Sequence, residues 1–383
     1  MKKINKHRST ITICSTLIFG ALCIPSISYA NTKQIAPTSS ESIEAVQQEL
    51  QKHLDNREKN NEIRYITTNF NREEVLDKLI AVYNNLLEKD DYLKYTIKRT
   101  DFTMQGESGA YTMTLNTTYR ETKEQSQHVK EQSKLIVDSI INPQMNDHEK
   151  VKEIHDYVVK HVSYDKSLQS YTAYEAVVNR SAVCQGYALL TYQLLKEAGI
   201  PARIVEGTAN GELHAWNLVN IESKWYHLDS TFDDPTPDKE NQATYSHFNL
   251  SDEQIKNDHQ WNHDKYPAAT TSYYDELMNK VQINDEKLTS YQKLLKDTNL
   301  IYLKSEYSAE NYEQLINNIQ SQFISQPEKI TLRYNKSVNN TIKDAKLVLN
   351  TITWPEGAKN VSFEAEPFNH HQGSSLLTIV FTY

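Results

Sequence analysis

Three residues of this chain have side chains suited to nucleophilic attack on a carbonyl, and they follow one another in a suggestive order: Cys184, His214 and Asp229. A thiol attacks a carboxamide as the thiolate, so it needs an imidazole that removes its proton. The imidazole in turn needs a group that fixes its orientation, and a carboxylate does this. The three residues are therefore candidates for a nucleophile, its base and the group that orients the base.

The sequence around Cys184 predicts a thiol at, or just before, the N-terminus of a buried helix. Apolar residues recur at helical spacing over residues 187–198, and Gly199 and Pro201 end the pattern. The first turn of a helix presents unpaired N–H groups and the positive end of the dipole, which together stabilise an anion by up to ~2 kcal/mol. This position favours a thiolate, and it makes the Cys184 N–H a candidate donor to an oxyanion.

The hairpin loop after the strand that carries His214 decides which face of the sheet Asp229 occupies. If Glu222 and Ser223 form a two-residue loop, Trp216 pairs with Asp229 and His214 lies on the same face. His214 and Asp229 are then diagonal neighbours, with backbones about 7 Å apart, which two polar side chains can bridge. A three-residue loop would turn Asp229 to the opposite face.

Each of the three residues also has a structural explanation. A lone cysteine on a helix is usually a small apolar core residue, and Asp229 could cap a turn before Ser230. His214 is one of 13 histidines, so it is unremarkable by itself. These alternatives stay open, but the ordered combination of helix-start thiol, strand imidazole and same-face carboxylate favours a catalytic site.

The N-terminus has the features of a signal peptide. Four basic residues precede an apolar run over about residues 11–24, and Ser28-Tyr29-Ala30 fits a signal-peptidase site, so residues 1–30 are predicted to be cleaved. The run is shorter than the ~20 residues that span a bilayer, so no membrane span is expected in the mature chain. Cleavage leaves Cys184 as the single cysteine, and we expect a secreted or envelope-associated protein.

The charge of the mature chain limits its partners. The leader holds four of the 41 basic residues and none of the 50 acidic ones, which leaves 37 against 50 and a formal charge of −13. Such a surface disfavours nucleic acid and anionic lipid as main partners. The expected partner is an extracellular or envelope protein substrate, and the sequence does not indicate an oligomeric state.

Two acidic and imidazole-rich segments raise the question of a metal. Residues 258–264 contain histidines and aspartates but lack compact zinc-ligand spacing. Asp233, Asp234 and Asp238 lack the pattern of a calcium loop, and nearby prolines favour a turn. A structural role is preferred for both segments, so neither a metal nor another cofactor is predicted.

The chain length predicts two or three domains. The predicted organisation is a leader (1–30), a linker with a helical segment (31–60), an N-terminal α/β module (61–140), a catalytic domain (143–268) and a C-terminal α/β module (272–383). Both flanks show the pattern strand, helix, strand, strand, with strands expected near residues 95–97 and 300–303 among others. They are interpreted as copies of one module, and chance recurrence of short patterns is the alternative.

The motifs resemble those of the transglutaminase-like superfamily. The matching text is Ala-Val-Cys-Gln-Gly-Tyr-Ala over residues 182–188, His-Ala-Trp-Asn over 214–217, and Trp-Tyr-His-Leu-Asp-Ser-Thr-Phe-Asp-Asp-Pro over 225–235. The resemblance covers about a third of the chain. It implies an α+β fold with a papain-like core, in which a cysteine-bearing helix packs on an antiparallel sheet that carries the histidine and the aspartate. In the present chain this core lies between the two small α/β modules.

The resemblance also implies roles for particular residues. Cys184 would be the nucleophile, His214 the general base and acid, and Asp229 the orienting group, with the substrate and oxyanion neighbourhood at Gln185, Gly186 and Trp216. The implied activity is acyl transfer or hydrolysis at protein carboxamides through a thioester, which yields cross-linking, deamidation or peptide cleavage. The alternative is a non-catalytic envelope scaffold that retains the domain. Family members commonly carry glycine shortly before the cysteine, where this chain has Arg180-Ser181, so the loop geometry there is less defined.

Overall fold

A computed structural model describes residues 12–15, 38–40, 42–235, 242–283, 287–368, 370 and 373–383. The predicted leader lies outside these residues except for positions 12–15, and Asp238 also lies outside them. The chain is α+β, as predicted from the sequence. Among the described residues, no helix has both the length and the apolar character needed to cross a bilayer.

The helices and strands are numbered in chain order. The helices are α1 (Ile43–Asp55), α2 (Arg72–Leu87), α3 (Asp91–Thr96), α4 (Lys123–Ile140), α5 (Asp147–His161), α6 (Ala173–Val178), α7 (Cys184–Glu197), α8 (Asp252–Ile255), α9 (Tyr273–Gln282), α10 (Leu288–Asp297), α11 (Tyr312–Gln322) and α12 (Val338–Thr351). The strands are β1 (Thr12–Ser15), β2 (Thr38–Ser40), β3 (Asn60–Ile66), β4 (Ile97–Glu107), β5 (Ala110–Tyr119), β6 (Ser163–Tyr164), β7 (Ser181–Ala182), β8 (Ala202–Ala209), β9 (Glu212–Ile221), β10 (Lys224–Leu228), β11 (His259–Trp261), β12 (Ser308–Ala309), β13 (Lys329–Tyr334), β14 (Asn360–Pro367) and β15 (Ser375–Thr382).

The chain divides into two compact units. The first ends at Ile221 and also takes in Asp258–Pro267, whereas the second comprises Glu222–Asn257 and Ala268–Tyr383. Each unit is therefore built from two separate stretches of sequence. The domain boundaries proposed from the sequence stay predictions.

The first unit begins with a five-stranded sheet in the order β1-β4-β5-β3-β2. Helix α1 packs on this sheet through one apolar face, since Val46, Leu50 and Leu54 are fully buried in its core with residues of α2. The strand predicted over residues 95–97 is wrong in its first part. Tyr95 belongs to α3, because the Asp90 side chain accepts a hydrogen bond from the Leu93 N–H and caps that helix.

The remainder of the first unit contains Cys184 and His214, two of the three predicted catalytic residues. A capping box formed by Asn146 and Glu149 begins α5. Strand β8 pairs antiparallel with both β9 and β11. The β8–β9 hairpin turns through Asn210 and Gly211, both with positive φ, which is the pattern of a two-residue type I′ loop.

The second unit ends in a four-stranded sheet in the order β12-β13-β15-β14. Buried residues of α11, α12 and the central strands, among them Leu315, Val348 and Ile379, form its core. The strand predicted over residues 300–303 is wrong, since Leu300–Leu303 forms a 3₁₀ turn that follows the left-handed Asn299. This short apolar segment buries Leu300 without joining the sheet, whose first strand begins at Ser308.

The two flanking modules share one topology. The order β2–α1–β3–α2–β4–β5 at the N-terminal end matches β12–α11–β13–α12–β14–β15 at the C-terminal end. In each sheet the first strand pairs parallel with the second, the second pairs antiparallel with the last, and the last pairs antiparallel with the third. The N-terminal module differs by its additional β1 and α3. This agreement supports the interpretation of the flanks as copies of one module.

Candidate active site

Cys184 is the first residue of α7, which confirms its predicted position at the start of a buried helix. Val183 caps the helix in an extended conformation, and Cys184 is 7% exposed. The chain reaches this point from Arg180, which has a positive φ of 52°, through the short strand β7. The thiol therefore sits at the positive end of a 14-residue helix that is buried along most of its length.

The first turn of α7 leaves N–H groups free to bind an anion. Within the described part of the chain, Gly186 and Tyr187 donate their N–H groups to the Val183 carbonyl, at 2.8 and 3.2 Å. The N–H groups of Cys184 and Gln185 have no backbone acceptor there. Two neighbouring N–H groups beside a thiol are the arrangement that an oxyanion requires.

The Gln185 side chain faces the interior. Its Nε2 donates a hydrogen bond of 2.8 Å to the carbonyl oxygen of Tyr95, and the residue is 2% exposed. This bond ties the start of α7 to the end of α3. Of the atoms of Gln185, the backbone N–H is therefore the candidate for contact with a reacting group.

Gly186 allows α7 to start close to the preceding loop. A Cβ atom on Gly186 would lie 2.5 Å from the Ala182 Cβ and 3.0 Å from the Thr172 carbonyl oxygen. Contacts this short require the backbone to move, because both neighbouring atoms are held by the main chain.

We expect the substitution Gly186→Ala to destabilise the protein by about 1–3 kcal/mol, even though alanine is favoured over glycine in a helix interior by about 1 kcal/mol. Chemical denaturation measures this difference. The double variant with Ala182→Gly removes the shortest contact and should regain part of the lost stability. A Gly186→Ala protein that is more stable than wild type would show that the contact relaxes without cost.

The loop beside α7 is internally braced. Asp165 accepts hydrogen bonds from the Ser167 hydroxyl and from the backbone N–H groups of Ser167, Gln169 and Ser170. These bonds, that of the Ser167 hydroxyl first, hold the pKa of Asp165 well below its usual range. The Ser170 carbonyl in turn accepts from the Val183 N–H at 2.8 Å, so the braced loop supports the residue that precedes Cys184.

Tyr164 lies near the thiol. It is on β6, where it pairs with Ala182 of β7, and it is half-buried. Burial raises the pKa of Tyr164, and a negative charge on Cys184 raises it further. The phenol therefore stays protonated at neutral pH and can act as a hydrogen-bond donor near the start of α7.

His214 lies on β9, opposite Gly207 of β8. Its ring stacks on the ring of Trp216 with centroids 5.9 Å apart, so the two side chains share a face as predicted. Both residues are buried. Asn217 of the same strand donates a 3.0 Å hydrogen bond to the Ala188 carbonyl of α7, four residues after Cys184. The strand with the imidazole is thus fixed to the helix with the thiol.

A second imidazole, which the sequence analysis left outside the site, lies next to His214. The His259 ring on β11 is edge-on to the His214 ring at 5.4 Å and to the Trp216 ring at 4.9 Å. The available signal was the cluster of histidines and aspartates over residues 258–264, which raised the question of a metal and was given a structural role. The ring nitrogens of His214 and His259 lie within 4.8 Å of each other, and the absence of a bound metal stays a prediction.

Asp229 belongs to the second unit, directly after β10. Its Oδ1 accepts from the backbone N–H groups of Thr231 at 2.9 Å and Phe232 at 3.2 Å, and the residue is 1% exposed. The loop before β10 consists of Glu222 and Ser223, both with positive φ, which confirms the two-residue loop on which the predicted register depends.

The structure therefore brings some of the predicted site residues together. Cys184, Gln185 and Gly186 share the first turn of α7, and His214 and Trp216 share a face of β9, the strand to which α7 is bonded. The pairing of the thiol with the imidazole, and of Asp229 with the imidazole, stays a prediction.

Residues 134–230 match the sequence model of the transglutaminase-like superfamily. The resemblance drawn from the motifs is confirmed over this segment, which contains Cys184, His214 and Asp229. The chain therefore carries a transglutaminase-like domain.

Relatives with curated descriptions have related names. The kyphoscoliosis peptidases of Mus musculus and Homo sapiens are each 27% identical over 115 residues, which cover 25% of this chain and 17% of theirs. The chain thus spans about a sixth of the length of these relatives.

Solved structures overlap loosely with the chain. A crystal structure of a TGase covers 51% of this chain and 59% of its own, with 16% identity and a TM-score of 0.27. A candidate cysteine protease from Cytophaga hutchinsonii covers 37% and 60%, with 18% identity and a TM-score of 0.26. These overlaps are too loose to define a shared overall fold.

Proposed function

We propose that this protein is a thiol enzyme that transfers or hydrolyses acyl groups at protein carboxamides through a thioester on Cys184. The observation that carries the proposal is the position of Cys184 as the first residue of α7, which is bonded to the strand of His214. The N–H groups of Cys184 and Gln185 have no backbone acceptor among the described residues. The matching superfamily segment and the relatives named as peptidases support it. The proposed substrate is a protein outside the cytoplasm.

The proposed reaction has two stages. His214 accepts the proton of Cys184, and the sulfur attacks the carbonyl carbon of a carboxamide. The oxygen of the tetrahedral intermediate takes the negative charge and accepts from the N–H groups of Cys184 and Gln185. As the C–N bond breaks, His214 returns the proton to the leaving ammonia or amine, and a thioester remains.

The fate of the thioester defines the activity. A primary amine or a water molecule attacks the carbonyl carbon while His214 takes its proton, and the C–S bond then breaks to restore the thiol. An amine yields an isopeptide cross-link. Water yields deamidation when ammonia left in the first stage, or peptide cleavage when a peptide amine left.

Mass spectrometry of a mixed protein substrate, incubated with the enzyme and a small primary amine, distinguishes these outcomes. We expect wild type to give amine-modified glutamine, deamidated glutamine or new termini, and the Cys184→Ala variant to give none of them. Equal products from both proteins would contradict the proposal and favour the alternative of a non-catalytic envelope scaffold.

A further inference from the structure

The proposed reaction gives no role to the buried imidazole of His259, which belongs to the first unit. The residue is 1% exposed and belongs to β11, whose pairing with β8 sets His259 opposite Ala209. Gly207 makes this arrangement possible, because a Cβ atom there would lie 2.0 Å from the Gln260 carbonyl oxygen and 2.9 Å from the Trp216 ring. The absence of a side chain at Gly207 brings β11 and the aromatic rings together.

Asp258 fixes the His259 ring. The Asp258 Oδ1 lies 2.5 Å from the His259 Nδ1. A carboxylate only accepts hydrogen bonds, so Nδ1 carries a proton and its N–H donates a hydrogen bond to Asp258. The carboxylate therefore sets both the tautomer and the plane of the His259 ring.

The fixed ring of His259 limits the freedom of His214. Trp216 lies nearly parallel to the His214 ring, at an interplanar angle of 19°, whereas His259 approaches it at 68°. Trp216 and His259 also contact each other at 74°, so the three rings brace one another. A ring held from two directions loses the rotations that would carry its nitrogens away from a reacting group.

We propose that His259 is a positioning residue that holds the His214 imidazole in its working orientation, with Asp258 as its anchor. This inference rests on the proposed function, since it assigns His259 to the same thiol site. His259 acts through its ring contact with His214 and has no proton-transfer role of its own. Asp258 thus fixes the ring of His259, and His259 fixes the ring of His214.

Steady-state kinetics of variants in the full chain test this inference. We expect His259→Ala to lower kcat by roughly 10–100-fold with little change in KM, because ring orientation affects the chemical step more than substrate binding. His259→Phe keeps a ring edge against His214 and should recover much of the lost kcat, whereas Asp258→Asn should cause an intermediate loss. Gln260→Ala, at an exposed position on the same strand, is the matched control and should resemble wild type.

Two kinetic outcomes would overturn the inference: wild-type kcat in His259→Ala, or a phenylalanine variant as impaired as the alanine one. The second outcome would show that a ring edge at position 259 does not orient His214. Should the alanine variant fail to fold, as judged by circular dichroism, the comparison of His259→Phe and Asp258→Asn with wild type still decides.

The rate of Cys184 alkylation by iodoacetamide at pH 6 separates this inference from the proposed function. An unassisted thiol, with a pKa of ~8.5, is almost entirely protonated at that pH, so fast labelling reports a stabilised thiolate, and the slowing caused by His214→Gln measures the contribution of the imidazole beyond that of the helix start. If His214→Gln does not slow labelling, the proposed thiol–imidazole pair is wrong. If His214→Gln slows labelling and His259→Ala does not, the pair stands and the positioning role of His259 is wrong.

Discussion

Replacement of His214 by glutamine is expected to lower kcat/KM by roughly 10⁴–10⁶-fold. In enzymes with a cysteine or serine nucleophile, the nucleophile and its base act as one unit. Glutamine retains hydrogen-bonding groups on a side chain of similar reach, but it cannot accept and return a proton near neutral pH. The loss should therefore appear in the chemical step, with folding unchanged. Release of ammonia from a glutamine-containing peptide measures it.

The losses of activity caused by substitutions at Cys184 and His214 should not add. Cys184→Ala alone should cost about as much as His214→Gln, and the double variant should be no worse than either, since each single change already disables the pair. His161→Gln is a matched control, because its ring Nδ1 lies 2.8 Å from the Tyr157 carbonyl within the same helix. Retention of a tenth or more of the wild-type activity in His214→Gln would assign the base elsewhere.

Local sequence signals were sufficient to predict the start of α7. A helical apolar pattern, a glycine and a proline that end it, and a cysteine at its front are all contained within residues 184–201. The two-residue loop at Glu222 and Ser223 was a weaker signal, because neither residue is typical of positive φ. The structure nevertheless gives both residues positive φ. A two-residue type I′ loop requires positive φ at both positions, so the length of the loop outweighs the preference of the individual residues.

Contacts between distant parts of the chain could not be predicted from the sequence. The Gln185 side chain bonds to the Tyr95 carbonyl, 90 positions earlier, and nothing near either residue indicates this. The position of His259 beside His214 depends likewise on the pairing of β11 with β8, which a three-residue strand does not reveal. Pairing partners are set by the whole sheet, so the second imidazole could be found only from the fold.

The flanking modules show the same limit at the level of topology. The sequence suggested two copies but placed the first strand of the C-terminal copy at residues 300–303, where apolar residues cluster. The actual first strands, β2 and β12, have three and two residues. Alternation of apolar and polar residues cannot be recognised over so few positions. The shared topology emerged from strand pairing.

Acidification is expected to destabilise the first unit through Asp156 on α5. Burial alone would raise the pKa of this carboxyl, but contacts with His155, Lys152 and Lys160 outweigh burial and hold its pKa well below the usual range. The Lys152 and Lys160 ammonium groups lie 3.0 and 2.8 Å from Oδ2, and Asp156 is only 6% exposed. A depressed pKa contributes stability that is present above the unfolded value of ~3.9 and is lost as the pH falls below it.

The substitution Asp156→Asn should therefore reduce the free energy of unfolding by about 3–5 kcal/mol at pH 7, because it removes the carboxylate charge that lies 3.0 Å from the mostly buried Lys152 ammonium group. The difference in unfolding free energy between variant and wild type should shrink between about pH 5 and pH 3. In this range the ionised Asp156 begins to lose the stability that its depressed pKa contributes to the wild type. Urea denaturation across this range measures it. Asp138→Asn removes a pair of the same i, i+4 spacing whose side chains are 63% and 60% exposed, so it should change stability by less than about 1 kcal/mol. A pH-independent difference for Asp156→Asn would show that lost packing, and not lost charge, causes the effect.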